Sequence, residues 1–127
     1  MRIISTENDS INNPSLTTPF IIIHIISGIW LTSLIKTYFP KYKNVLLIVL
    51  IIHTIYEIKD IYVSYYLKYN NVLTNNSWLN SIGDTIGAII GYYLYNLFPI
   101  KFKWATIIYL LSSIIAWQPH IKKFINS

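Results

Sequence analysis

The sequence predicts an all-α chain, a polytopic transmembrane bundle of four helices, and three observations carry that expectation. Only 12% of residues are charged, about half the ~25% usual in soluble domains. The apolar residues gather in long runs, giving a mean hydropathy of +0.45. The prolines at 14, 19, 40, 99 and 119 fall between those runs, where a missing backbone N–H breaks no helix interior. A chain of 127 residues accommodates one domain.

Residues 1–18 are polar, rich in Asn, Ser and Thr. They lack the basic-then-apolar plan of a secretory signal and read as a flexible tail. Residues 19–127 are expected to form the single transmembrane domain. Thr18-Pro19 supplies a cap and a first-turn proline, opening a first helix over about 19–39. Its length suffices to cross a hydrocarbon core of about 30 Å at 1.5 Å per residue. A second segment spans about 44–67, a third 81–98 and a fourth 102–118. Short connections at 40–43 and 99–101 should make each flanking pair an antiparallel hairpin. Between them lies a loop with Asn70, Asn71, Asn75, Asn76 and Ser77.

Charge and aromatics fit the same plan. The net charge is +5, but the lysines stand in ones and twos at the ends of apolar runs, where long basic side chains reach the membrane interface. A nucleic-acid surface would gather them on one face among stacking aromatics, so no nucleic-acid partner is expected. Trp78, Trp104 and Trp117, with Tyr38, Tyr42, Tyr65, Tyr66 and Tyr69, lie near segment ends as an aromatic belt does. The chain has no cysteine, which excludes disulfides, thiolate catalysis and Cys-type metal sites.

Within this apolar chain one polar stripe stands out. His53, Glu57 and Asp60 fall within an arc of about 60° on the second helix. Ionisable groups in apolar spans usually face a protein interior or a water-filled cavity. Topology brings others to the same side. His24 lies about 8 Å into the first helix and Asp84 about 5 Å into the third, by helical rise. Asp60 and Glu57 lie roughly 6 and 11 Å from that surface, and His53 is deeper. Gln118 and His120 close the fourth helix there. Gly83, Gly87 and Gly91 recur every four residues, echoed by Gly28. Small residues at that spacing let helix backbones approach in lipid, placing the third helix at the centre against the first two. Blander roles compete. Ser81-Ile-Gly-Asp84 reads as a capping box that would occupy both side chains, and His53 with Glu57 could be a structural i, i+4 pair.

The run His53-x-x-Tyr56-Glu57-x-x-Asp60, then Asn80-Ser81-Ile82-x-Asp84-x-Ile86 and Gly91-Tyr92, resembles the core of a family of small bacterial inner-membrane proteins of uncharacterised role. More loosely it resembles the VanZ-like membrane proteins, which carry an acidic residue on one helix and an Asp heading a Gly-containing next one. Ala88 stands here where VanZ-like helices often have Asn. The resemblance covers about 40 residues and implies a membrane domain of four to five helices with a shared polar centre. It implies no reaction.

These readings give a multi-pass integral membrane protein with a His/Glu/Asp centre that binds or acts on a lipid or envelope headgroup. Glu57, Asp84 and His53 are the acid/base candidates, and Asp60, His24, Asn80 and Ser81 the binding candidates. Its partners would be the bilayer, such a headgroup and a second copy of the chain. No cofactor is required by the sequence. Imidazoles with carboxylates suit Zn, Mn or Fe, but without a His-x-x-His or His-Glu-x-x-His motif no metal ligand is assigned. An alternative is a structural or assembly protein whose polar cluster only orients helices. Proton or ion conduction ranks last, because four short helices make a poor pore. No nucleophile elbow, P-loop or dinucleotide fingerprint is present.

Overall fold

The computed structural model describes residues 2–4, 15–65 and 77–125. It contains α1 (Ile21–Tyr38), α2 (Val45–Tyr65), α3 (Trp78–Leu97) and α4 (Phe102–Ile125). The four expected helices are therefore present. Within residues 1–18, expected as a flexible tail, the described residues pair as two three-residue strands, β1 (Arg2–Ile4) and β2 (Ser15–Thr17). They run parallel with Arg2 opposite Ser15 and Ile4 opposite Thr17, and β2 packs against α3. The asparagine loop lies outside the described residues apart from Ser77.

Helix boundaries follow local hydrogen bonding. The Thr18 hydroxyl accepts the Phe20 N–H at 3.3 Å, and the Thr18 carbonyl accepts from Ile21 N at 3.0 Å. Thr18 and Pro19 thus shape the entrance to α1 one turn ahead of its regular bonding, a shift within the usual latitude of helix ends. The start of α3 departs more. Ser77 is its N-cap, accepting the Asn80 N–H at 3.1 Å, so the helix opens at Trp78 and not at Ser81. The capping box at Ser81–Asp84 does not form. A helix has orphan N–H groups only in its first turn, and Asp84 lies beyond it. At the other end of the chain, α4 continues through Pro119 to Ile125, past the expected end at 118. One proline deletes a single backbone bond, and the remaining ladder carries the helix on.

The tightest packing joins α1 to α3, which are not consecutive, and α4 packs chiefly on α1 instead of on its hairpin neighbour α3. Glycine explains the first contact. A Cβ at Gly28 would overlap the Ala88 carbonyl oxygen and stand 2.9 Å from its carbon. One at Gly91 would overlap the Ile25 carbonyl oxygen and lie 2.8 Å from Ile29 N. At Gly87 the nearest neighbours are Ile21 Cγ1 at 3.0 Å and His24 Cβ at 3.2 Å. Gly83 is buried on the same helix. The aromatic residue Trp30 explains the second contact. Its indole N–H donates to Thr106 Oγ1 at 3.0 Å, and that hydroxyl donates to the Phe102 carbonyl at 2.8 Å. The Trp30 ring stacks on Tyr109 with centroids 4.9 Å apart. Helix α3 thus packs against both α1 and α2, as the glycine stripe predicts, while α1 also carries α4.

Burial is shared between polar and apolar side chains. Among the described residues nine polar or charged side chains are buried against seven hydrophobic ones. Ile51, Ile55 and Ile58 of α2 and Leu110, Leu111, Ile114 and Ile115 of α4 are exposed. One described helix, Ile21–Tyr38, is long and apolar enough to cross a membrane, and the apolar part of α4, Phe102–Ala116, is shorter.

Candidate functional site

Three helices bring the site together. α1 contributes His24, α2 contributes His53 and Glu57, and α3 contributes Asn80, Ser81, Asp84 and Thr85. On α2 the i, i+4 spacing stacks His53 over Glu57 on one face. On α3, which is already helical from Trp78, the i, i+3, i+4 spacing puts Ser81, Asp84 and Thr85 on one face. The glycine contact of α1 with α3 then sets His24 within reach of Asp84, because no side chain holds the two backbones apart.

The geometry is compact. His24 Nε2 lies 3.1 Å from Asp84 Oδ2. His24 Nδ1 lies 3.3 Å from His53 Nε2, the rings meeting edge to face at 75°. Glu57 Oε1 faces both imidazoles, at 3.8 Å from His24 Nδ1 and 3.6 Å from His53 Nε2. Ser81 Oγ donates to the other carboxylate oxygen, Glu57 Oε2, at 2.9 Å. Thr85 Oγ1 lies 3.4 Å from His53 Nδ1 and donates to the Ser81 carbonyl at 2.9 Å. His53, Glu57, Ser81 and Asp84 are all buried. The His24 side chain keeps 19% of its surface accessible, so the centre reaches the exterior at α1.

The expected residues divide clearly. His24, His53, Glu57, Ser81 and Asp84 are brought together. Asn80 is buried at the head of α3, its N–H engaged by the Ser77 cap. Asp60 sits on α2, one turn past Glu57, and its side chain lies outside the described residues, as do those of Gln118 and His120. Thr85 joins the site without having been anticipated from the sequence. Its only signal is position, one residue after Asp84 and four after Ser81.

Chemically, the cluster presents two carboxylates and two imidazoles with hydroxyl support. His24, His53 and Glu57 offer three donor atoms within 4.8 Å of one another. These are the residues able to hold a metal ion among those described. The same groups could also shuttle a proton or bind an amine or hydroxyl.

Comparison with known protein families, with curated proteins and with solved structures finds no match. What fold and site define is a class: a four-helix protein in which α1, α2 and α3 share a buried His/Glu/Asp centre.

Proposed function

We propose that the chain is a multi-pass membrane protein whose buried centre binds the headgroup of a lipid or another envelope amphiphile. The supporting observation is inversion on a single helix. α2 buries His53 and Glu57 while leaving Ile51, Ile55 and Ile58 more than half exposed. In water that arrangement forfeits hydrophobic burial and desolvates charge together, both unfavourable. In a bilayer the isoleucines face acyl chains, and the polar groups find partners only inside. Trp78, Trp104, Tyr38 and Tyr42, exposed near helix ends, suit the interfacial belt.

Two carboxylates give the centre negative character. It therefore favours hydroxyl or amine donors, or a cation, over a bare phosphate. Glu57 and Asp84 are the groups to accept such donors, with His24 at the accessible edge. A second reading has support of its own. The Ser81–Glu57 and His24–Asp84 contacts each join two helices, which is what a purely structural register device requires.

Because the chain has no native cysteine, spin labels can be placed singly. A label at residue 55 in liposomes should be relaxed by oxygen more than by a water-soluble nickel chelate. Glu57→Gln with Asp84→Asn should abolish binding of headgroup-labelled lipid while the helix content stays. Preferential relaxation by the chelate removes the membrane reading. Unchanged lipid binding in the double variant leaves only the structural one.

A further inference from the structure

The hydrogen-bond directions around the two imidazoles create a conflict that a cation resolves. Thr85 has one hydroxyl proton, donated to the Ser81 carbonyl at 2.9 Å. Toward His53 Nδ1 it therefore accepts, so His53 carries its proton on Nδ1 and turns the Nε2 lone pair inward. A carboxylate likewise accepts, so the contact of 3.1 Å with Asp84 puts the His24 proton on Nε2. His24 Nδ1 then points a second lone pair at His53 Nε2 from 3.3 Å. Glu57 Oε1 adds negative charge at 3.6 and 3.8 Å. Two ring lone pairs and a carboxylate oxygen thus converge within 4.8 Å of one another.

From this we infer that His24 Nδ1, His53 Nε2 and Glu57 Oε1 form a binding site for one divalent transition-metal ion, with Zn2+ the best-suited. Bonds of ~2.0–2.1 Å in a tetrahedral ion hold its ligand atoms ~3.3–3.4 Å apart. The three separations begin at that edge and exceed it by less than about half an ångström, a span that small ligand shifts cover on binding. Each ligand also has an outer partner on α3. Asp84 holds the far nitrogen of His24, Thr85 that of His53, and Ser81 the far oxygen of Glu57. Carboxylate–imidazole–metal relays of this kind orient the ring and raise its basicity. Two imidazoles and one carboxylate leave a fourth position open, as sites that handle a substrate or water do. The ion would also offset the negative character of the centre and so admit a phosphate oxygen.

The site deepens the headgroup reading by naming what occupies the same cluster, and it is tested apart from lipid. Protein purified in detergent and stripped by chelation is titrated with Zn2+ alone, and separately with Co2+ to read coordination from visible absorption. The expected results are one ion per chain and the intense visible bands of four-coordinate cobalt. Uptake should be lost in His53→Ala and in Glu57→Gln, weakened about 10–100-fold in Asp84→Asn, and unchanged in Asn96→Ala at the far end of α3. The cobalt spectrum of the unaltered chain stands even where a variant fails to fold. A folded chain that takes up neither ion, or uptake indifferent to His53→Ala, overturns the site and leaves a shared proton to reconcile the two rings. Folded protein that takes up neither ion yet binds labelled lipid defeats this inference alone. Metal-loaded protein that binds no lipid defeats the headgroup reading alone.

Discussion

Around Val49 the bundle is packed as an apolar core, with Leu31, Ile35 and Val45 buried beside it and Trp30, Ile48 and Tyr92 closing over them. About 12 Å along α2, by helical rise, Glu57 is buried with Asp84 and two imidazoles instead. The same three helices build both regions, yet different forces hold them. At the Val49 end, shape and dispersion suffice, and any apolar side chain of similar volume would serve. At the Glu57 end, each group needs a particular partner, because an unpaired charge there is costly. The difference teaches that order at the apolar end depends on volume, whereas order at the polar end depends on the chemical identity of each partner. Specificity of that chemical kind is where function is to be sought.

The seam that serves both regions gives the largest expected effect. Gly91→Leu drives a side chain into the Ile25 carbonyl and Ile29 N, separating α1 from α3 along their length. Its cost should exceed ~3 kcal/mol, beyond ordinary overpacking, and abolish cooperative thermal unfolding followed by circular dichroism in detergent. Gly87→Ala meets mainly the Ile21 and His24 side chains and should cost only about 1 kcal/mol. Equal effects at the two positions would refute the close approach of backbones.

The polar end comes next. Glu57→Ala strips a buried partner from His24, His53 and Ser81 and should destabilise by about 3–5 kcal/mol. Glu57→Gln keeps the shape and the Ser81 contact and should cost no more than about 1–2 kcal/mol. Chemical denaturation of both variants separates charge from volume at this site. The apolar end responds less. Val49→Ala should cost about 1–2 kcal/mol, and the lower figure is expected in micelles, where lipid-like surroundings remove most of the hydrophobic term. A cost above ~3 kcal/mol would erase the contrast between the two ends. The smallest effect belongs to the helix start. Ser77→Ala should lose about 1 kcal/mol of stability with the site chemistry intact, whereas Ser81→Ala should leave the helix start alone and loosen Glu57.

Much of this arrangement was legible in the sequence because apolar runs and prolines mark helices strongly. The observed α1 and α2 begin and end within two residues of the expected bounds. The convergence of His24 with Glu57 and Asp84 followed from helix direction and depth alone. The start of α3 was obscured because Ser81-x-x-Asp84 imitates a capping box, whereas the true cap, Ser77, precedes Trp78-Leu79-Asn80 and carries no such signature. Correcting it matters, since a capping Asp84 would be spent on backbone N–H groups and unable to meet His24. Trp30 and Thr106 were silent for another reason. A tryptophan in mid-helix and a threonine 76 positions later form no local pattern, and only three-dimensional packing joins them. Lys36, read as an interface anchor, also donates to Asn96 across α1 and α3.

The central claim is that side chains from separate helices act as one unit, and a double-mutant cycle between His24 and Asp84 tests it most directly. Unfolding free energies in detergent are compared for His24→Ala, Asp84→Ala and the pair. Residues in contact should show a coupling of about 0.5–3 kcal/mol, the second substitution costing little once the first is made. Strict additivity, within about 0.3–0.5 kcal/mol, would mean that the two never meet and that no shared centre exists.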